Sequence, residues 1–234
     1  MLKIRCGLVS LAVLATGLLS AAPAEAGFSL LSTRAGTDSF NWGQLGPNFT
    51  PVPSPSNVTS AGGVVGSVSD TGFLQRYDQQ NGWSGNFTIG DKLLYSAVNG
   101  SSLTVKTGST LDSVGGAQIQ SANIGSFTAQ VEALDAGGLV LATFTDSNGF
   151  SSAAADNSAI FIGVRGTAGS TFNALRFSIT ANGTNGFAIN QFSFTPSGAA
   201  PPVTATPLPP TLVAALLGVV GLGGASLRRR LNVA

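Results

Sequence analysis

Short segments in which apolar and polar residues alternate are the feature that most constrains how this chain can fold. In one of them, single residues separate Leu175, Phe177 and Ile179. A period of two places these side chains on one face of a strand, whereas a helix requires a period of about 3.6. No segment between residues 27 and 198 has a helical stripe with capping residues. The pattern therefore predicts an all-β body.

Turn residues separate the alternating segments. Asp135-Ala136-Gly137-Gly138 divides residues 127–134 from 139–145, which predicts a hairpin. Further strand candidates lie at residues 87–89, 93–95, 103–105, 117–119, 160–164, 187–189 and 192–194. Short strands at this spacing predict an antiparallel β-sandwich or jelly roll over residues 27–198, with a long loop at residues 41–62.

The first 26 residues have the organisation of a secretory signal peptide. Its parts are a basic start at Lys3 and Arg5, an apolar run over residues 8–19, and an A-x-A cleavage site formed by Ala24 and Ala26 before Gly27. Cleavage there would remove Cys6, which is the only cysteine, and leave a body without disulfides. An uncleaved anchor is the alternative, and the short apolar run argues against it.

The last 28 residues form a second targeting segment. Its parts are the motif Pro207-Leu208-Pro209, an apolar stretch at residues 211–227, and the basic cluster Arg228, Arg229 and Arg230. As a helix the apolar stretch would be about 25 Å long, near the lower limit for crossing a membrane. The basic cluster is predicted to stay cytoplasmic and the body to lie outside. Residues 199–206 form a linker rich in proline, alanine and threonine.

This layout closely resembles the PEP-CTERM sorting domain, found in bacteria that make exopolysaccharide and carry an exosortase. The chain departs from the family signature at Leu208, where the family has glutamate. The resemblance implies passage through the translocon, removal of the leader by signal peptidase, and transient or stable residence of the tail in inner-membrane lipid. An exosortase-type enzyme would then recognise residues 207–209, cleave near them, and deliver the body to the cell surface or matrix.

Two other interpretations of the tail stay open. Residues 208–212 nearly match the Leu-Pro-x-Thr-Gly signal of sortase substrates, but Leu212 stands where that signal requires glycine. A tail that is never processed would make the protein a simple anchored surface protein.

Three segments of the body also resemble recurring stretches in the ectodomains of PEP-CTERM proteins. They are residues 115–120 (GGAQIQ), 156–165 (DNSAIFIGVR) and 187–194 (FAINQFSF). Those ectodomains are similar to jelly-roll carbohydrate-binding modules, which implies exopolysaccharide as a ligand. Modules of this kind often carry a structural calcium near the final strand, where Asn190 stands here.

Charge and composition limit the kinds of binding and catalysis that the body can support. Residues 27–198 hold six basic and nine acidic side chains without a basic cluster, so no nucleic-acid binding is expected. The absence of histidine excludes a Ser-His-Asp triad and histidine metal ligands. These features favour a protein that is not an enzyme and needs no cofactor.

One enzymatic alternative remains, a glycan hydrolase that uses a pair of carboxylates. Glu132, the only glutamate of the body, could act with Asp91, Asp146 or Asp156. Strand alternation predicts instead that Glu132 faces solvent.

Aromatic residues are the candidate glycan contacts, because flat rings stack on sugar faces. Trp42 and Trp83 are favoured, since both lie in loop-like surroundings rich in asparagine and glycine, and Tyr77 and Tyr95 are further candidates. The alternative is that each tryptophan closes one end of the sandwich.

Overall fold

The computed structural model describes residues 27–108, 112–182 and 185–197. These ranges form strands and a single short helix, a 3-10 turn at Trp42–Leu45. The strands are β1 (Gly27–Leu31), β2 (Asp38–Phe40), β3 (Pro51–Val52), β4 (Ser56–Thr59), β5 (Val65–Asp70), β6 (Leu74–Gln79), β7 (Gly82–Trp83), β8 (Lys92–Ser96), β9 (Leu103–Lys106), β10 (Asp112–Ser121), β11 (Gly125–Leu134), β12 (Val140–Ser151), β13 (Ile160–Thr167), β14 (Ala174–Ala181), β15 (Phe187–Ile189) and β16 (Phe192–Pro196). The all-β prediction is confirmed for the body.

The predicted targeting segments lie outside the described residues. They include Ala24 and Ala26, the linker at residues 199–206, the motif Pro207, Leu208 and Pro209, the tail helix at residues 211–227, and Arg228, Arg229 and Arg230. Within the described ranges, no helix is long and apolar enough to cross a membrane.

Two sheets share one core. Sheet A has ten strands in the order β1-β13-β10-β15-β8-β6-β3, with β16 pairing with β10 and β2, and β7 pairing with β6. Sheet B has six strands in the order β12-β11-β14-β9-β5-β4. The strand pairs are antiparallel apart from the two-residue pair of β6 with β7. The predicted antiparallel sandwich is therefore confirmed.

Alternation along the strands supplies the layer between the sheets, which we call the main core. In β11 the side chains of Ala129, Val131 and Ala133 are buried, whereas Gln130 and Glu132 are only partly buried, on the outer side. Larger contributions come from Phe40, Leu74, Leu94, Ile119, Ile162, Phe187 and Phe192 of sheet A, and from Val58, Val68, Leu103, Val105, Phe127 and Phe177 of sheet B. Removal of this apolar surface from water is the dominant favourable contribution to folding.

The predicted hairpin is present as β11 and β12, and it turns at Asp135. The Asp135 carboxylate accepts hydrogen bonds from the amides of Gly137 (2.9 Å) and Leu139 (2.8 Å). Gly138 has φ 86°, a left-handed conformation that glycine adopts without steric cost. Local chemistry alone specifies this turn, which is why its sequence is recognisable.

The stretch 41–62 is more ordered than the predicted long loop. It contains the 3-10 turn and strands β3 and β4. Val52 and Val58 anchor these strands by packing into the main core. The loop prediction is wrong because strands of two and four residues are too short to produce a clear alternating pattern.

Both ends of the body lie at one end of the sandwich, which we call the base. In sheet A, Gly27 pairs with Thr167, and Pro196 pairs with Asp112. Because β10 and β13 are antiparallel neighbours, β13 ends on the side where β10 begins. The amide nitrogen of Gly27 also donates to Oγ of Ser170 (2.8 Å). The start of the first strand and the end of the last strand thus lie at the same end of sheet A, with β13 and β10 between them.

Candidate functional site

Neighbouring strands of sheet A bring together the three segments that the sequence singles out. β10 pairs with β13 on one side and with β15 and β16 on the other. Gln118 lies opposite Phe161, and the backbone amide of Asn190 donates to the carbonyl oxygen of Gln118 (3.1 Å). Ile119 and Ile162 point into the main core, so Gln118 and Phe161 lie on the outer face.

A cavity of about 320 Å³ opens on this outer face. Its lining, which we call the amide pocket, consists of Arg34, Thr88, Asp91, Gln118, Asn157, Phe161 and Asn190. Phe161 is the one apolar wall, and it packs over Gly116, where an added Cβ would lie 2.7 Å from the ring. The cavity is at the small end of the range for ligand sites. Every other lining residue has a side chain that can form hydrogen bonds.

Asn190 holds the centre of the amide pocket. Its Nδ2 donates to Oε1 of Gln118 (2.5 Å) and to Oδ2 of Asp91 (3.2 Å). Its Oδ1 accepts from the backbone amide of Gln118 (3.2 Å). Nε2 of Gln118 in turn donates to Oδ1 of Asn157 (3.0 Å). Nε2 of Gln118 also donates to the carbonyl oxygen of Ala159 (3.1 Å). Both side-chain N–H donors of Asn190 and of Gln118 are therefore used within the network, which fixes the orientation of each amide.

Arg34 makes this arrangement unsuitable for the calcium expected at Asn190. Nη2 of Arg34 donates to Oδ1 of Asn190 (3.2 Å), and Nη1 donates to Oε1 of Gln191 (2.7 Å). The side-chain oxygen of Asn190 therefore faces a positive charge, whereas calcium needs six to eight oxygen ligands. In the described part of the chain, no group of three acidic, histidine or cysteine residues could hold a metal. The calcium expected at Asn190 stays a prediction, and the contact with Arg34 argues against it.

Trp42 is a core residue and not a surface contact. Its ring is fully buried in the main core, beside Phe40 at a ring-centroid distance of 6.5 Å. Its Nε1 donates to the carbonyl oxygen of Asn190 (2.7 Å). A buried ring has no face for a sugar, so the predicted glycan contact at Trp42 is wrong. Its contribution to the site is this hydrogen bond, which holds the backbone of Asn190 from the core side of sheet A.

Trp83 is also packed, but outside sheet A. It belongs to a small group of apolar side chains that we call the outer cluster, which consists of Trp83, Phe87, Leu93, Ala159 and Ala188, with Tyr77, Tyr95 and Ala122 packed against it. Trp83 is 8% exposed, so its ring has almost no free face. It supports Tyr95 at 5.2 Å and Tyr77 at 6.2 Å between ring centroids. The predicted glycan contact at Trp83 is therefore corrected: its ring supports Tyr77 and Tyr95 instead.

Phe49, Tyr77 and Tyr95 form a more accessible aromatic surface over this support. The ring of Tyr77 meets Phe49 at 5.1 Å and Tyr95 at 5.4 Å, both edge to face. The hydroxyl of Tyr95 donates to the carbonyl oxygen of Asn185 (2.6 Å), and burial raises the pKa of Tyr95. Phe49 has φ 66°, an unusual conformation for a bulky residue that tends to occur at functional sites.

The pocket and the aromatic surface lie on the same face of sheet A. Asn190 directly follows β15, whose Ile189 pairs with Leu94 of β8, and Leu93 of β8 pairs with Tyr77 of β6. Two strand spacings correspond to about 10 Å, which is the separation expected between the pocket and Tyr77. One extended ligand could therefore contact both.

The carboxylate pair of the enzymatic alternative is not assembled. On the outer face of sheet B, Oε2 of Glu132 accepts from Nε of Arg176 (2.6 Å). Asp91 and Asp156 bind side chains on the other outer face, so the main core separates them from Glu132. Asp146 lies within β12, where its Oδ1 accepts from the backbone amide of Asn148 (2.9 Å). Glu132 thus faces a cation, whereas a glycosidase needs two carboxylates across a cleft.

Arg34, Thr88, Gln118 and Asn157 were not predicted as site residues. Gln118 carries a usable signal, because it is the polar position of an alternating strand inside a segment already singled out. Asn157 also lies inside a segment already singled out, residues 156–165. Arg34 and Thr88 lie in loops that approach the site from distant parts of the chain, and such placement has no local signature.

No protein-family model matches this chain, and no curated protein matches it. Among solved structures, the chain is similar to the enzymatically active domain of tailspike protein 4 of bacteriophage CBA120, with 12% identity, 55% of this chain and 19% of that chain covered, and a TM-score of 0.29. It is also similar to CsCBM6-3 from Clostridium stercorarium in complex with cellobiose, with 14% identity, 73% and 95% covered, and a TM-score of 0.22. Likenesses this distant do not bear on what the present chain binds.

Proposed function

We propose that this chain is an exported, non-enzymatic protein of the cell surface or extracellular matrix that binds exopolysaccharide through the outer face of sheet A. Its C-terminal sorting segment would be processed by an exosortase-type enzyme. The observation that carries the binding proposal is the convergence of three separate sequence segments on the amide pocket, beside an aromatic surface on the same face.

The chemistry of this face suits a neutral polysaccharide. Amide groups donate and accept hydrogen bonds without charge, as sugar hydroxyls do. Arg34 and Asp91 are the charged residues of the pocket lining, and their charges are opposite. Tyr77 and Tyr95 offer partly exposed rings with polar tips, which suits stacking against sugar faces.

The position of the strands supports the export proposal. Residues 27–31 of β1, which pair with β13, all follow the predicted cleavage site. Removal of the leader would therefore leave the first strand intact. Because both ends of the body lie at the base, a membrane-held tail would leave the amide pocket open to the exterior.

Binding can be tested with two pocket variants of the full chain, Arg34→Gln and Asn157→Gly. Asn157 has φ 63°, which glycine tolerates, so the second variant should keep the fold. Each variant should weaken binding to the host's purified exopolysaccharide by about tenfold, as measured by calorimetry. A tenfold loss of affinity corresponds to about 1.4 kcal/mol for the lost contact. Arg176→Gln on sheet B is the matched control. Unchanged binding in both pocket variants would exclude this site.

The aromatic surface needs a separate variant. Tyr77→Leu should weaken binding while leaving the amide pocket in place, because it removes a ring and keeps an apolar side chain. Phe73→Leu, an exposed aromatic residue away from this face, is the control. Equal losses of binding in the two variants would mean that exposed aromatic side chains contribute non-specifically and that this aromatic surface is not the binding site.

Sorting can be tested on protein recovered from the host's surface and medium. Intact mass and terminal peptide mapping should give a form that starts at Gly27 and ends near residues 207–210. A membrane-bound form that retains Arg228, Arg229 and Arg230 would contradict exosortase processing and favour a simple anchored protein.

A further inference from the structure

The amide pocket contains a cation and an anion that are not paired with each other. Arg34 and Asp91 both line the cavity. The ion pairs formed within the described ranges have Arg76, Lys92 and Arg176 as their cations, so neither charge of the pocket belongs to one. Opposite charges attract strongly where water is partly excluded. Some feature of the pocket must therefore keep these two apart.

Asn190 is that feature, because its amide group lies between the two charges. Its Oδ1 accepts from Nη2 of Arg34, and its Nδ2 donates to Oδ2 of Asp91, both at 3.2 Å. The path through the two hydrogen bonds and the amide is about 9 Å long, which is the upper limit for the separation of the charged atoms. The amide turns its oxygen to the cation and its N–H to the anion. The two charges are thus bridged without being neutralised.

Both charged groups keep unused capacity for hydrogen bonds. Arg34 donates to Oδ1 of Asn190 and to Oε1 of Gln191 (2.7 Å), which leaves further N–H donors of its guanidinium unused. Oδ2 of Asp91 also accepts from the backbone amide of Thr88 (3.2 Å). Oδ1 of Asp91 has no hydrogen-bond partner within the described ranges. A donor cluster and an acceptor are therefore available to one small ligand.

The charged residues nearest in the chain to the pocket lining are bound elsewhere. Lys92 follows Asp91 directly, but its Nζ lies 2.7 Å from Oδ1 of Asp78. Oδ1 of Asp156 accepts from Nδ2 of Asn86 (3.2 Å). Neither side chain forms an ion pair with a charge of the pocket. A ligand is consequently needed to match both charges.

We propose that the amide pocket recognises a sugar unit that carries both an ammonium and a carboxylate group. Arg34 binds the carboxylate and Oδ1 of Asp91 accepts from the ammonium, both through strong charge-assisted hydrogen bonds. The hydroxyl of Thr88 and Nδ2 of Asn157 have no partner in the described part of the chain, so they are available to sugar hydroxyls. The inference rests on the proposed polysaccharide binding and refines it, because such a unit has no net charge.

Other small ligands fit the pocket less well. A sugar that carries only a carboxylate would bring a like charge close to Asp91, and one that carries only an amine would do the same to Arg34. A neutral sugar would leave both charges unmatched. A free amino acid such as alanine carries both charges, but it offers no hydroxyls to Thr88 and Asn157.

Three related sugars separate the two charges of the ligand. Muramic acid is glucosamine with a lactic acid ether, so it has both groups, whereas N-acetylmuramic acid lacks the ammonium and glucosamine lacks the carboxylate. Calorimetry on the full chain in detergent micelles at about pH 6 keeps the ligand's amine protonated and its carboxyl ionised. Muramic acid should bind at least about tenfold more tightly than either relative, because each relative lacks one charge-assisted contact.

Two variants assign each charge of the ligand to its residue. Asp91→Asn keeps an acceptor for Asn190 and should abolish the preference for muramic acid over N-acetylmuramic acid, while the preference over glucosamine remains. Arg34→Gln should have the reverse effect. Arg176→Gln and Glu132→Gln are the matched controls, since they remove a cation and an anion from the outer face of sheet B, and both preferences should remain. An unchanged melting temperature shows that each variant folds.

Two results would overturn the recognition of charge. The wild-type chain could bind the three sugars with equal affinity. Alternatively, Asp91→Asn and Arg34→Gln could weaken binding of all three equally, which would mean that the pocket responds to shape and not to charge. Alanine should bind more weakly than muramic acid, and equal binding would overturn the assignment to a sugar in favour of a free amino acid.

Failure of the proposed function gives a different result. If the pocket does not bind exopolysaccharide, the wild-type chain will fail to bind that polymer although it still discriminates among the three sugars. If only the present inference fails, the chain will bind exopolysaccharide and lose affinity in the pocket variants, but it will not discriminate among the sugars.

Discussion

The main core and the outer cluster of sheet A each contain one of the two tryptophans, and they use it differently. Trp42 is fully buried between the sheets, and its Nε1 donates to the backbone of Asn190. Trp83 lies outside sheet A, and its buried Nε1 has no hydrogen-bond partner among the described residues. The first tryptophan joins the core to the pocket, whereas the second supports two tyrosines.

The difference shows that similar local sequences can occupy unlike environments. Both tryptophans are followed or preceded by glycine and asparagine, and both looked equally suitable as surface rings. What separates them is the side of sheet A against which each packs. We therefore expect Trp42 to control stability and Trp83 to act mainly on the candidate site.

Trp42→Ala should have the largest effect on the protein. It removes the largest fully buried side chain and the hydrogen bond to Asn190, so the free energy of unfolding should fall by about 3–5 kcal/mol. Urea unfolding followed by circular dichroism measures the loss. Trp83→Ala is the comparison, with an expected loss of about 1–3 kcal/mol. Equal losses would contradict the distinction between the two regions.

The buried carboxyl of Asp112 should make stability depend on pH. Burial raises the pKa of Asp112 to about 7, partly offset by a hydrogen bond from Thr107. Between the ordinary aspartate value and about 7, the unfolded chain has lost this proton while the native state keeps it. Stability contributed by this group therefore falls as pH rises through that window, by up to roughly 4 kcal/mol.

Asp112→Asn isolates this contribution, because asparagine keeps the shape and does not titrate. The difference in unfolding free energy between variant and wild type should grow in favour of the variant from about pH 4 to about pH 7. Parallel pH profiles would show that Asp112 is ionised in the native state. Such a result would mean that burial of Asp112 does not keep its carboxyl protonated.

Substituting phenylalanine at each tryptophan sharpens the comparison on a smaller scale. Trp42→Phe leaves the carbonyl oxygen of Asn190 without its donor and should cost about 1–3 kcal/mol. Trp83→Phe removes an N–H that has no partner among the described residues and should change stability by less than about 1 kcal/mol. If Trp83→Phe costs as much as Trp42→Phe, Trp83 does not differ from a core residue.

Glu132→Gln should have the smallest effect. The Glu132–Arg176 pair lies on the outer face of sheet B and is partly exposed, so its loss should change stability by less than about 1 kcal/mol. Binding to exopolysaccharide should be unchanged. A hydrolytic activity that disappears in this variant while the fold remains would revive the carboxylate mechanism.

Much of the fold could be predicted because strands and turns leave local signals. The β11–β12 hairpin follows from alternation and from the Asp-Ala-Gly-Gly turn. β3 and β4 could not be predicted, because their stability comes from single valines in the main core. For the site, Asn190 was noticed, but its partner Arg34 was not, since 156 positions separate the two residues in the chain.

By itself, the amino-acid sequence determined the all-β class and the alternation that builds the main core. It also contains the terminal motifs on which the export proposal depends. Only the tertiary structure decided that Trp42 lies inside and Trp83 outside, that Arg34 faces Asn190, and that the two ends of the body lie at the base. The physical reason is that alternation is a local property of one strand. Which distant residues meet depends on the order and register in which the sheets assemble.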